Sequence, residues 1–598
     1  MANPSVVTNN VNSENSFYRF MGNIDLFAQL NKNLKFTTNF GVNFNKEREE
    51  VFYPKGGIPY GHFDNNVEIT SNAQHRVERL FTLFDENRLT YTFDFAHDHK
   101  LDATLGFRYM TSRAENDFGE TYNAPDNAYT SIGNGLIEYA ATGGMLGKWN
   151  WLAAYANVNY NLYNKYFVDA VISADASSRY GEDVGVLQYY PSVTAAWLLS
   201  SEKWFRADFV DMLKFRAGYT QAGNDNIGNY AAKRYYVAQN FLGNYGLVRA
   251  NLMNKDLKPE RVTKFNVGLD MSFFNEAFTL SADFYKNTVT DMLVYSKAKY
   301  YTGLDSYIDN GGEMENVGID VTATARLVNT KNVKWDLGIT ASHNQNEVTA
   351  LKTGAFNTEL AEGTIRTQVG SPLGIFYGYK TNGVYSTTEE AETDDLYTMV
   401  GSVRTPFEAG DVRFVDAHAD GLIDEKDMQE IGDPTPDLYG SIFTNLKVKR
   451  FNLSAQFKYS LGNDVYNYTR RNLETMSGWE NQTEAVRNRW QVEGDITNMP
   501  KMVYGDPRGN ARFSDRWIED GSFLKLKNVT LSYNVPMHND VLTDLVVYGA
   551  VENLFTITDY KGYDPEVISS AANPLIYGIE SYSTPHTTTF YVGVKVGL

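Results

Sequence analysis

The sequence predicts an all-β fold, a transmembrane antiparallel β-barrel, and three observations predict it. Apolar and polar residues alternate with period two over stretches of about ten residues, the length a tilted strand needs to cross a bilayer. The connections between these stretches sort into short and long. The chain is also aromatic, with 41 Tyr and 35 Phe among 598 residues, while its mean hydropathy is only −0.41. No apolar run reaches the roughly 18 residues of a membrane helix. A barrel escapes that criterion because each strand hides its apolar side by alternation, with aromatic girdles at the two membrane interfaces.

The alternation is read directly from the residues. Leu34, Phe36, Phe40, Val42 and Phe44 interleave with Lys35, Thr37, Asn39, Asn43 and Asn45. Asn157, Asn159 and Asn161 oppose Ala156, Val158, Tyr160 and Leu162, and Leu453, Ala455, Phe457 and Tyr459 oppose Asn452, Ser454, Gln456 and Lys458. Inward-facing Asn, Ser, Gln and Lys are costly in a packed sandwich core, whereas in a wide barrel they meet water. The template gives about 17 strands. They start near residues 16, 34, 80, 100, 149, 165, 188, 210, 262, 277, 313, 333, 436, 451, 520, 543 and 586.

The connections Asn31–Asn33, Ala96–His99, Tyr163–Lys165, Asn275–Glu276, Asn329–Asn332 and Lys449–Arg450 are short and polar. Between them lie the long segments 48–77, 114–148, 223–261, 292–312, 346–435, 465–519 and 557–585, with 180–187 a short member of that class. One rim of tight turns and one of long loops is the outer-membrane pattern, turns in the periplasm and loops outside. The last strand places Phe590, Val592, Val594, Val596 and Leu598 on one face and runs to the final residue. Such proteins usually finish on an aromatic residue, and Leu598 departs from that. A periplasmic carboxy terminus and an odd strand count put residue 1 outside the cell, so further strands are expected upstream.

Composition narrows the function. With 0 Cys there is no disulfide framework, thiolate metal site or Cys nucleophile. A net charge of −19 argues against nucleic acid as a partner. The polar opening MANPSVVTNNVNSENS has neither the cationic nor the apolar region of a signal peptide. No P-loop, dinucleotide fingerprint or catalytic triad is recognisable, so no enzyme is expected. A soluble set of β-sandwiches is the bland rival; it has no reason to sort its loops by length.

A series of segments runs in order along the chain: SADASSRYG (173–181), YYPSVTAAWLLSSEKWF (189–205), LKFRAGYTQAGNDNIGNY (213–230), LKPERVTKFNVGLDMSFF (257–274) and DFYKNTVTDMLVY (283–295). GGEMENVGIDV (311–321), GSPLGIFYGYKTNGVY (370–385), WIEDGSFLKLKNVTLSYNVP (517–536) and VENLFTITDYKGYDPEV (551–567) continue it. Together they resemble the SusC/RagA family of TonB-linked outer-membrane transporters. The resemblance implies a single carboxy-terminal barrel portion over residues 1–598 of a barrel of about 22 strands. It implies that plug and about five strands lie elsewhere, as strand parity also requires. It further implies import of oligosaccharides or peptides with a SusD-like surface lipoprotein, and coupling to TonB only through the absent amino-terminal region. Alternatives are one chain of a split barrel, or a surface adhesion or scaffold barrel without uptake.

One local motif suggests an ion. DAHADGLIDEKD fits a twelve-residue calcium loop, with Asp416, His418, Asp420, Leu422 through its carbonyl, Asp424 and Asp427 at the ligand positions and Gly421 at the sharp turn. His418 stands where Asp or Asn is usual, Asp427 is shorter than the usual Glu, and a solvated acidic turn is the plain reading. Apart from this Ca²⁺, no cofactor is expected. His97, Asp98 and His99 are too few for a metal site. Trp149, Trp151, Trp197, Trp204 and Trp517 are better explained by interfacial girdles than by sugar stacking. Tyr377 and Tyr379, in a long loop, are the candidates for substrate contact.

Overall fold

The computed structural model describes residues 9–56, 61, 67–96, 98–183, 187–241, 244–537, 543–566 and 577–597. Seventeen strands form one large sheet. They are β1 (Asn12–Gln29), β2 (Leu34–Tyr53), β3 (Asn72–Ala96), β4 (His99–Tyr122), β5 (Ala141–Leu162), β6 (Tyr166–Ser177), β7 (Gln188–Leu198), β8 (Val210–Asn224) and β9 (Glu260–Phe273). There follow β10 (Phe278–Lys297), β11 (Ser306–Asn329), β12 (Val333–Leu351), β13 (Leu438–Val448), β14 (Phe451–Leu461), β15 (Phe523–Asn534), β16 (Asp544–Thr558) and β17 (Thr589–Gly597). The count and order match the alternation. Sequential strands pair antiparallel, as in the unbroken ladder of β1 with β2.

The first strands run well past the ten residues that a bilayer requires. β3 begins at Asn72 and β5 at Ala141, inside segments the alternation assigns to loops. Beyond the membrane a strand needs only its ladder, so charge replaces alternation. Lys46 faces Arg79, and Glu49 faces Arg76, while Arg79 and Arg113 both reach Glu115. The short turns are tight because their residues adopt positive φ: Tyr163 at 58° and Asn164 at 52° in one, Lys449 at 54° in another.

The chain divides into two compact units: Met1–Ala195, Tyr219–Thr263 and Asp291–Asn310 in one; Ala196–Gly218, Lys264–Thr290 and Gly311–Leu598 in the other. In the first, the polar face of the strands carries a cluster. Glu86 accepts from Arg108 Nε at 2.8 Å and from the Tyr155 hydroxyl at 2.7 Å. Tyr155 lies across Gly106, where an added Cβ would meet its ring at 2.2 Å, so only glycine permits the contact. In the second, Arg216 is clamped by Asp270 at 2.8 and 2.9 Å and by Asp283 at the same distances.

Register sorts the strands of the second unit into two faces. Thr340, Ser441, Lys458 and Lys525 form a polar row across β12–β15, and Ser342, Tyr439, Ser460 and Phe523 form a mixed row on the same face. On the other face Trp335, Leu446, Leu453 and Leu531 form an apolar row. That face is exposed, with Leu531 at 52% and Ile339 at 43%, as lipid contact requires. A bulge at Lys527 keeps the rows in phase around β15.

The connections β12–β13 and β14–β15 are themselves folded. A four-stranded sheet joins Phe356–Leu360, Gly363–Thr367, Ile375–Gly378 and Gln429–Gly432. Asp464–Asn467 pairs with Ile518–Asp520 and, in parallel, with Ile579–Glu580. Short helices α1 (Thr388–Asp394) and α2 (Tyr468–Glu474) cap the layer. One core gathers Ile365, Phe376, Tyr466, Phe513, Trp517 and Ile579, and another Tyr385, Phe407, Val412, Phe414 and Ile423.

Candidate functional site

Asp416–Asp427 is a turn held by its own carboxylates. Asp416 accepts from the Gly421 N–H at 2.8 Å, Asp420 from Leu422 at 3.0 Å and Asp424 from Lys426 at 2.8 Å. The fully buried Asp427 accepts from the N–H groups of His418 at 3.0 Å and Asp424 at 2.9 Å. Gly421 turns the chain at a φ of 75°, a conformation that favours glycine. Leu422 forms a bridge with Tyr397, and the His418 side chain is exposed. The Lys426 ammonium lies 3.2 Å from Asp420 and 3.5 Å from Asp424. The Leu422 N–H, then Lys426, hold the Asp420 carboxyl below its usual range. One oxygen, Asp416 Oδ1, is buried without a hydrogen-bond partner. Among the described residues the side chains that converge closely enough to share an ion are Asp564, Glu566 and His586, not those of this turn.

Tyr377 and Tyr379 lie in the inserted layer rather than on the strand wall. The Arg366 guanidinium sits 4.3 Å from the Tyr377 ring. Tyr379 is half-buried, with the Phe414 ring 5.8 Å away and Arg512 5.0 Å over its face. Burial pushes its hydroxyl pKa up, and its ring is committed to packing. Trp517, expected at a membrane interface, is instead 1% exposed within a core. Trp149 stacks under Arg179 at 4.2 Å. His97 lies outside the described residues.

Alternation alone missed a cluster of charges. Lys525, 1% exposed on β15, donates to both Asp564 oxygens at 2.8 and 2.9 Å and to Glu566 at 2.9 Å. Lys527 reaches Glu566 at 3.2 Å, Lys458 pairs with it as well, and His586 Nδ1 lies 2.8 Å from Asp564. Burial pushes both carboxyls up, but the lysine hydrogen bonds outweigh it, helped at Asp564 by His586, and hold each at about 2. Three ammonium groups already supply the positive charge here, which disfavours a metal at these carboxylates. The signal in the sequence was weak: lysines at lumen-type positions of adjacent strands and acids more than thirty residues away.

A cavity of about 500 Å³ lies against the polar face of β11–β15. Its floor is set by register. Asn316 on β11 stands opposite Asn346 on β12, with Asn344 one rung along, and Tyr439, Ser460 and Phe523 follow across β13–β15. Pro434, Asn463, Pro565, Glu566 and Tyr577 close it from the connections.

Long strands, one exposed apolar face, one polar face and folded loops define a transmembrane β-barrel of the outer membrane. Comparison with known proteins places it more narrowly: residues 2–554 match the family model for the TonB dependent receptor-like beta-barrel, and the chain belongs to that family. It is 27% identical over 585 residues to TonB-dependent receptor P3 of Formosa agariphila, covering 94% of this chain and 56% of that protein. TonB-dependent receptor SusC of Bacteroides thetaiotaomicron is 28% identical over 476 residues, 75% of this chain and 44% of the relative. The chain thus spans about half the length of the curated relatives it matches. The solved structure of the RagAB peptide transporter matches with a TM-score of 0.78 and 21% identity, over 98% of this chain and 62% of that one.

Proposed function

We propose that this barrel serves a TonB-driven importer that brings oligosaccharides or peptides across the outer membrane together with a SusD-like surface lipoprotein. The observation that carries this reading is the likeness along nearly the whole chain to the RagAB peptide transporter, seconded by the relationship to SusC. A polar strand face with its own cavity suits passage of a hydrophilic solute. The role is transport without catalysis. The test is solute uptake in the native bacterium with this gene intact or deleted, with TonB deleted, or with SusD-like lipoprotein genes deleted. Import predicts loss of uptake in each deletion. Uptake of every solute unchanged by loss of this gene makes the barrel a scaffold instead.

A second reading concerns Ca²⁺. We propose that the Asp416–Asp427 turn, with ligands Asp416, His418, Asp420, the Leu422 carbonyl, Asp424 and Asp427, takes the ion in competition with Lys426. The buried, unpartnered Asp416 Oδ1 favours it, because such an oxygen costs stability until a partner arrives. Millimolar Ca²⁺, and not Mg²⁺, should slow proteolysis within this turn; equal protection by both ions, or by neither, removes the proposal.

A further inference from the structure

We propose that the cavity over β11–β15 is a subsite for a neutral sugar, one or two pyranose rings of a larger glycan. The inference deepens the import reading by choosing glycan over peptide, and it rests on that reading only for its biological use.

Size comes first. About 500 Å³ falls within the roughly 300–1,000 Å³ of small-molecule sites, enough for a ring or two and too little for a folded partner. Donor chemistry comes second. Asn346 is already used, its oxygen accepting from the Leu373 N–H at 2.7 Å and its nitrogen donating to Thr435 at 3.4 Å. Among the described residues the Asn316 and Asn344 side chains make no hydrogen bond, although both line the cavity. A primary amide offers two donors and an acceptor oxygen in one plane, and a sugar hydroxyl both donates and accepts. Two free amides on neighbouring strands therefore match a polyhydroxylated ring.

The apolar share of the wall completes the match. Tyr439, Phe523 and Tyr577 border the same space, and Tyr577 keeps 43% of its surface exposed. Pyranose rings present C–H faces that pack on such side chains. Charge decides against an ionic ligand. Lys458 and Glu566 are the charged residues lining the cavity, and they pair with each other. Glu566 is held by Lys525 and Lys527 as well. Among the described residues the two charges that line the cavity are thus engaged with each other, and neither is free to offset the desolvation of a peptide terminus or a uronate.

The test is saturation-transfer NMR on the complete transporter in detergent. The probes are maltotriose, cellotriose, laminaritriose, mannotriose and β-1,4-galactotriose, with trialanine and trigalacturonate as charged comparators. At least one neutral trisaccharide should bind. The pair Asn316→Ala and Asn344→Ala should weaken it about tenfold, as two lost hydrogen bonds imply. Gln456→Ala, on the polar face of β14 but outside the cavity, should not change it. Heat-modified mobility on a cold gel confirms that each variant is folded. The subsite is overturned if no neutral trisaccharide binds, if binding ignores the double variant, or if a charged comparator binds with the same dependence. Failure here with TonB-dependent uptake intact removes the subsite alone; binding without TonB-dependent uptake removes the import reading alone.

Discussion

The strand wall and the layer inserted between β12 and β15 treat apolar residues in opposite ways. On the wall, Leu453 and Leu531 form an exposed row, while the most covered side chains lie on the opposite face, Lys525 at 1% and Ser460 at 8%. In the inserted layer, Tyr385 and Phe376 are fully buried, as in any soluble domain. One chain uses two solvents. The wall satisfies its backbone through a ladder and faces lipid outward, whereas the layer collapses away from water. The two regions should therefore respond differently to the same kind of substitution.

The largest effect is expected in the layer. Trp517→Ala, at the centre of a core, should destabilise it by about 3–5 kcal/mol; hydrogen exchange should speed up in Ile365–Thr367 and Asp464–Asn467 while β11–β15 stay protected. Exchange that rises equally in both regions would join them into one cooperative unit. Next, Lys525→Met leaves Asp564 and Glu566 short of their central cation, a loss of about 3 kcal/mol by analogy with broken buried pairs. Proteolysis near residue 564 should then appear at neutral pH.

On the wall, Leu453→Arg should cost about 2–4 kcal/mol when placed near the bilayer midplane, whereas Ser454→Arg, its neighbour on the polar face, should be nearly silent. Refolding titrations in lipid vesicles compare the two, and equal costs would erase the distinction between faces. A smaller effect is expected from pH. Asp564 and Glu566 titrate at about 2 in the folded protein, below the ordinary values near 4. Their depressed pKa values make them stabilising above about pH 4.5, and that contribution is lost progressively as pH falls from there towards 2. Proteolysis near residue 564 should rise only in that window, and a rise already present at neutral pH would contradict it. The smallest effect separates the two tyrosines: Tyr379→Ala should destabilise the layer through lost packing against Phe414, whereas Tyr377→Ala, stacked on Arg366, should change stability by less than about 1 kcal/mol.

How much of this was legible in the sequence follows from the same contrast. The wall was readable because lipid on one side and polar side chains on the other impose period two, so Leu453 and Ser454 announce their faces without any knowledge of contacts. The folded layer was not, since Phe376, Tyr466, Trp517 and Ile579 meet across more than two hundred residues and share no period. The lengths of β3 and β5 were under-read because their outer ends obey hydrogen bonding rather than hydropathy. At the calcium-like turn the twelve-residue spacing is plain in the sequence, whereas the capping of backbone N–H groups by those carboxylates appears only in the structure. The Asn316–Asn344 floor was visible only as polar positions on two strands; its meaning came from the register that sets them side by side and from the loops that roof them.

The two-faced wall is tested most directly by single-cysteine labelling along Phe451–Leu461 in native outer-membrane vesicles, since the chain has 0 Cys of its own. A fluorophore at positions 453, 455 and 457 should be quenched by a lipid-soluble nitroxide and spared by aqueous iodide, with the reverse at 452, 454 and 456. Aqueous quenching at both sets would contradict a membrane-spanning barrel.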